Sequence, residues 1–123
     1  VLKYIDPDNK MFKFRLYREA CIPLGHNIYV KDLRIIKNYD PKNTILMDNS
    51  IYSFINQPSN GLIVNSFHLD SKDIQLINAK RYLINHIANS KDIREINNKM
   101  FRFNELFNDK NIFENESDDM EVE

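Results

Sequence analysis

Thr44-Ile45-Leu46-Met47 is an apolar run too short for a helix and without polar alternation, and it stops abruptly at Asp48-Asn49-Ser50. Such a run reads as a parallel strand covered on both faces. A second run, Leu62-Ile63-Val64, follows the Asn60-Gly61 turn, so two parallel strands are expected over 44–47 and 62–65. Asp70 with Asp73 forms a variant capping box, and Ile74, Ile77, Ile84 and Ile87 keep helical spacing, which predicts a helix over 72–88. Asp92 with Glu95 repeats the start signal, and Ile93, Ile96 and Met100 predict a shorter helix over 92–100. Buried strands interleaved with helices mean an α/β fold. In such sheets ligands sit beyond the carboxyl ends of the strands, which directs attention to Asp48-Asn49-Ser50.

Upstream, Asp6-Pro7-Asp8-Asn9 is a turn cluster, after which Phe12, Phe14 and Leu16 alternate with Lys13, Arg15 and Tyr17. That period predicts a strand with one covered face over 11–18. Pro23-Leu24-Gly25-His26-Asn27 turns the chain, and Ile28-Tyr29-Val30 can return as a partner strand. Asp32 then opens a brief helical turn through Leu33, Ile35 and Ile36, before a break at Tyr39-Asp40-Pro41-Lys42-Asn43.

At 123 residues with 42% hydrophobic content, the chain can build one core but not two. Its 17 basic and 18 acidic residues give a net charge of −1, which removes the usual electrostatic argument for a nucleic-acid binder. The balance hides an asymmetry: seven acids and one base fall from Asp109 onward, leaving 16 bases and 11 acids before it, a body near +5. Residues 1–107 read as the folded part and 108–123 as an acidic tail expected to be disordered. The single Cys21 cannot form an internal disulfide, so a reducing compartment, nuclear or cytoplasmic, is the expectation, with Cys21 itself buried. No apolar run reaches the length of a membrane span, and no partner membrane is evident. The opening at Val1, without an initiator Met and directly in structured sequence, suggests a fragment. His26, His68 and His86 lack metal-ligand spacing. The 17 asparagines against three alanines look compositional rather than functional.

Three motifs in order carry a resemblance: Phe14-Arg15-Leu16-Tyr17-Arg18-Glu19-Ala20-Cys21, then Tyr29-Val30-Lys31-Asp32-Leu33, then Ile45-Leu46-Met47-Asp48-Asn49-Ser50. Over roughly residues 1–107 the chain resembles the C-terminal half of the small phosphatases that act on the C-terminal domain of RNA polymerase II. This is the NLI-interacting-factor-like domain of the haloacid dehalogenase superfamily. The resemblance implies a partial Rossmann-like haloacid dehalogenase fold with a short β-hairpin-like insertion. It implies magnesium as cofactor and a phosphorylated protein, mostly phosphoserine, as substrate. It also assigns roles: Lys31 to the lysine that neutralises the phosphoryl group, Asp48 and Asn49 to the acidic, metal-side motif, and Arg18 to an arginine near the substrate phosphate. The chemistry is coherent, because a phosphoryl group in transfer spreads charge over oxygens that a fixed ammonium and a divalent cation stabilise.

The departure from the family is equally specific. The DxDxT/V motif that supplies the nucleophilic aspartate, and the serine or threonine motif that follows it, are absent from these 123 residues. Asp6 and Asp8 have the right spacing but sit in a proline-containing turn with no apolar strand ahead of them. Without a nucleophile there is no covalent step, so the chain alone is expected to be inert. The competing reading is a pseudophosphatase kept for protein interaction, like the mitochondrial import receptor relatives. Those share the Arg-Leu-Tyr-Arg and Lys-Asp-Leu segments but lack Asp-Asn-Ser. Taken singly, Lys31 and Arg18 are ordinary surface cations and Asp48-Asn49-Ser50 an ordinary turn. Only their combination points to a site.

Overall fold

In the computed structural model, which describes residues 1–108, strands β1 (Ile22–Gly25) and β2 (Ile28–Val30) form an antiparallel hairpin, and β3 (Leu46–Asp48) and β4 (Gly61–Ile63) a parallel pair. Helices α1 (Leu2–Ile5), α2 (Gln75–Tyr82), α3 (Ile93–Phe101) and α4 (Phe103–Asn108) accompany them, joined by short 3-10 turns. Helix and strand are mixed, as the α/β reading requires.

The parallel pair has the register Leu46 to Gly61, Met47 to Leu62 and Asp48 to Ile63, extended by Val64 N–H donating to the Asp48 carbonyl at 3.0 Å. It starts later on the first strand than the apolar run suggested. Thr44 is held by turn chemistry: its hydroxyl donates to the Asp40 carbonyl at 2.7 Å, and its own carbonyl accepts from Asn60 Nδ2 at 2.7 Å. Nor is β3 covered on both faces, since Met47 is 42% exposed, whereas Leu62 on β4 is buried.

The core assembles over β4. Phe54 is fully buried, and a Cβ at Gly61 would overlap its ring, so only glycine lets the ring lie against the strand. Phe103 meets Phe54 at a centroid distance of 5.1 Å, Phe101 stacks on Phe103, and Tyr82 meets the edge of Phe101. The buried Asn97 side chain donates to the Ser59 and Gly61 carbonyls at 3.0 and 2.9 Å and accepts from the Tyr82 hydroxyl at 2.6 Å. That one amide ties α2 and α3 to the start of β4. Asn60 braces the other side, donating to the Pro41 and Thr44 carbonyls.

Three further expectations need correction. The strand over 11–18 does not form, because the Asp6 carboxylate captures the backbone N–H groups it would need. Lys10, Met11 and Phe12 donate to it at 2.7, 3.0 and 3.2 Å, and Arg15 adds an ion pair at 2.8 Å. The partner of Ile28–Val30 is instead Ile22–Gly25, part of which had read as turn. His26 and Asn27, at φ 45° and 63°, make the tight turn, and Gly25 at φ 93° takes up a register shift. Third, the helix expected over 72–88 begins at Gln75, since Asp70 and Asp73 each cap a local turn, accepting from Lys72 N–H at 2.9 Å and Gln75 N–H at 2.8 Å. It then widens over Leu83–Ile87, where Ala88 N–H reaches the Leu83 carbonyl. Its isoleucine stripe is half exposed and packing runs through Ala79 and Tyr82 instead.

Helix α3 matches its expectation, with Asp92 Oδ1 accepting from Arg94 N–H at 3.0 Å. Helix α4 was not foreseen; Arg102 at φ 54° breaks the chain between α3 and α4 and turns Phe103 into the core. The acidic tail read over 108–123 lies outside the described residues except for Asn108, the last residue of α4.

Three carboxylates give the fold an acid limit. Asp6 is held at about 2 chiefly by the Met11 N–H, and Asp32 and Asp92 at about 2 chiefly by the Arg34 and Arg94 guanidinium groups. Each folded pKa is depressed from 3.8, so the stabilisation is complete above about pH 4 and is lost as pH falls toward 2. Circular dichroism of an acid titration should show unfolding promoted within that window, with a shallower dependence in Asp6→Asn. Stability unchanged from pH 4 to pH 2 contradicts it.

Candidate active site

Lys31 follows β2 directly, and its backbone is fixed on both sides. Its N–H donates to the Ser53 carbonyl at 2.8 Å, and its carbonyl accepts from Gln57 Nε2 at 2.5 Å. The next residue, Asp32, caps the turn over Leu33–Ile35 by accepting from Arg34 N–H at 2.9 Å. Lys31 is thereby left at the corner between the hairpin and the parallel pair.

Asp48 ends β3, where the strand-end rule pointed. Its Oδ1 accepts from Ser50 N–H at 2.9 Å and its Oδ2 accepts from the Lys31 ammonium. The Asp48 side chain is 8% exposed and that of Lys31 45%. The carboxylate is therefore enclosed while the ammonium stays open to an incoming anion. Burial pushes the Asp48 pKa up, but the Lys31 ammonium, the Ser50 N–H and the Ser53 hydroxyl outweigh it and hold the carboxyl below its usual 3.8. Asp48 is ionised at neutral pH.

Arg18 lies in a short 3-10 turn rather than on the expected strand, with its guanidinium over the Tyr29 ring at 4.7 Å. Asn49 donates through Nδ2 to the Ser66 hydroxyl at 2.8 Å. Arg18, Lys31, Asp48 and Asn49 all line one cleft of 800 Å³. Asp6 is not in its lining and spends its carboxylate on its own loop. Cys21, expected to be buried, is partly exposed on the cleft wall. Residues that sequence reasoning passed over complete the frame: Tyr29 under Arg18, and Ser53 and Gln57 behind Lys31. Gln57 stands beside Pro58 and reads as turn polarity, so its sequence carries no signal of this role.

A cleft that sets an enclosed carboxylate against a half-exposed lysine suits the handling of an anionic group. A family model described as NLI interacting factor-like phosphatase matches residues 1–94. The chain belongs to that family. A CTD small phosphatase-like protein 2 from Dictyostelium discoideum is 39% identical over 83 residues, covering 68% of this chain and 14% of that protein. A CTD small phosphatase-like protein 3 from Caenorhabditis elegans is 37% identical over 79 residues, 64% of this chain and 27% of the relative. A carboxy-terminal domain RNA polymerase II polypeptide A small phosphatase 2 from Mus musculus is 38% identical over 82 residues, 62% of this chain and 30% of the relative. The chain thus spans less than a third of the length of these relatives. The stretch matched to the NLI interacting factor-like phosphatase family contains all four cleft residues and ends near the start of α3.

The donor set can be tested against magnesium, the ion the family resemblance implies. Among the described residues no three His, Cys, Asp or Glu side chains are grouped to hold a metal. Asp48 and Asn49 nevertheless offer a carboxylate and an amide oxygen on consecutive residues at one strand end, both hard donors, and both residues line the cleft. A carboxylate has about four acceptor sites, so the Lys31, Ser50 and Ser53 contacts leave Asp48 room for one more partner, such as a cation. Two such ligands fit an ion that keeps several of its waters.

Proposed function

We propose that this chain is the C-terminal part of a magnesium-dependent phosphoserine protein phosphatase domain with a Rossmann-like haloacid dehalogenase fold. The single observation that carries the reading is the Lys31–Asp48 pair, an enclosed carboxylate orienting a half-exposed ammonium into a cleft that Arg18 also lines. The cleft belongs to a body near +5, which favours an anionic phosphoprotein over a cationic partner.

In this reading Arg18, steadied by Tyr29, engages the phosphate of the substrate, and Lys31 meets the oxygens on which charge collects as the phosphoryl group moves. Asp48 has two tasks: it fixes the ammonium, and with Asn49 it would hold the magnesium ion. The bound ion supplies charge neutralisation to the phosphoryl oxygens. The nucleophile of an aspartyl-phosphate mechanism comes from outside these 123 residues, which contain no DxDxT/V motif. We place the protein in a reducing compartment, nucleus or cytoplasm. No described helix is long and apolar enough to cross a membrane.

That same missing motif favours the second reading, a pseudophosphatase that keeps the fold for protein interaction. Asp48→Asn in the full-length protein separates the two. The carboxamide keeps the size of the side chain but loses its charge, so the enzyme reading expects half-maximal activity to require at least about tenfold more magnesium, with an unchanged circular dichroism spectrum. A wild-type protein without turnover leaves the interaction module as the reading that stands, and turnover with unaltered magnesium dependence in Asp48→Asn overturns the assignment of Asp48 to the metal.

A further inference from the structure

We infer that Gln57 is the positioning residue that sets where the Lys31 ammonium stands in the cleft, an inference that rests on the phosphatase reading above. Lys31 hangs from the end of a three-residue strand, and a long flexible side chain on a loose backbone does not hold a charge in one place. Gln57 supplies the missing rigidity. It is 9% exposed, its Nε2 donates to the Lys31 carbonyl at 2.5 Å, and its Oε1 accepts from Leu33 N–H at 3.3 Å. One amide therefore spans the two peptides flanking Asp32 and uses both its donor and its acceptor.

The frame that holds Gln57 is also the frame of Asp48. Gln57 N–H donates to the Phe54 carbonyl at 2.9 Å, so the amide is seated on the fully buried Phe54. Ser53, next to Phe54, accepts from Lys31 N–H through its carbonyl at 2.8 Å, while its hydroxyl helps hold the Asp48 carboxyl ionised. The Asn56 side chain adds a contact to Asp32 at 3.4 Å. The segment 53–57 thus grips both sides of the ion pair: Asp48 from below through Ser53, and the Lys31 backbone from both sides through Ser53 and Gln57. Gln57 lies outside the cleft lining, so it acts through the residues it holds, of which Lys31 carries the charge.

A double-mutant cycle in the full-length protein tests this, with single-turnover kcat on a phosphoserine peptide measured at high enzyme concentration. Gln57→Leu should lower kcat about tenfold in the wild-type background and by less than about twofold in the Lys31→Ala background, because the group it positions is then gone. Gln57→Glu keeps the acceptor for Leu33 N–H but has no donor for the Lys31 carbonyl. It should show the same dependence on Lys31, and it carries the cycle if Gln57→Leu does not fold. Equal losses in both backgrounds assign Gln57 a general structural role and overturn the inference, as does full kcat in both Gln57 variants. A wild-type protein with no turnover overturns the phosphatase reading itself, and the inference with it.

Discussion

Lys31→Ala in the full-length protein should lower kcat on a phosphoserine peptide by about 10²-fold or more, as for loss of one fixed electrostatic stabiliser. The geometry explains why the loss falls on the chemical step. The ammonium is already oriented by Asp48 and by two backbone contacts before a substrate arrives, so little reorganisation is left for the moment of transfer. Substrate binding depends less on it, since Arg18 lines the same cleft. The variant should fold normally: Lys31 is 45% exposed, and Asp48 keeps the Ser50 N–H as a partner. Wild-type kcat in this variant contradicts the assignment.

Phe54→Ala should have the largest effect on stability, about 3–5 kcal/mol by the usual cost of emptying an aromatic core position. Phe54 is fully buried, and its ring fills the space that Gly61 leaves free and supports Phe103. Its loss opens a cavity between Gly61 on β4 and Phe103 on α4. A native domain holds only about 5–15 kcal/mol in total, so the urea midpoint of the full-length protein should fall by about a fifth or more. The same substitution loosens the segment 53–57 and should reduce kcat as well. A midpoint within error of wild type contradicts this account of the core.

How much of this was legible in the sequence depended on whether a signal was local. The apolar runs that became β3 and β4 and the Asp92 cap of α3 were readable because period and capping act within a few residues. The strand over 11–18 failed although its alternation was correct, since one upstream carboxylate, Asp6, takes the backbone donors that a neighbouring strand would have used. Side-chain period reports which face can be covered, not what covers it. The isoleucines of α2 make the same point, keeping their helical spacing while standing half exposed.

Asp48 and Asn49 were singled out by the strand-end rule and given roles by the family resemblance, whereas Arg18 and Lys31 were found through the resemblance alone. Their support was not found. Tyr29, Ser53 and Gln57 are of types common in any loop or strand, and their roles exist only once the chain folds 53–57 back onto 31–33. Asn97 and Asn60 were hidden by composition: among 17 asparagines, the buried cross-braces look like all the others.

The central claim is that these residues form the phosphate-handling part of a phosphatase site whose nucleophile lies elsewhere. It is tested most directly by measuring release of phosphate from a phosphoserine peptide with magnesium, side by side, for the full-length protein and for residues 1–123. The account predicts turnover by the full-length protein and none by residues 1–123. Turnover by residues 1–123, or none by the full-length protein, contradicts it.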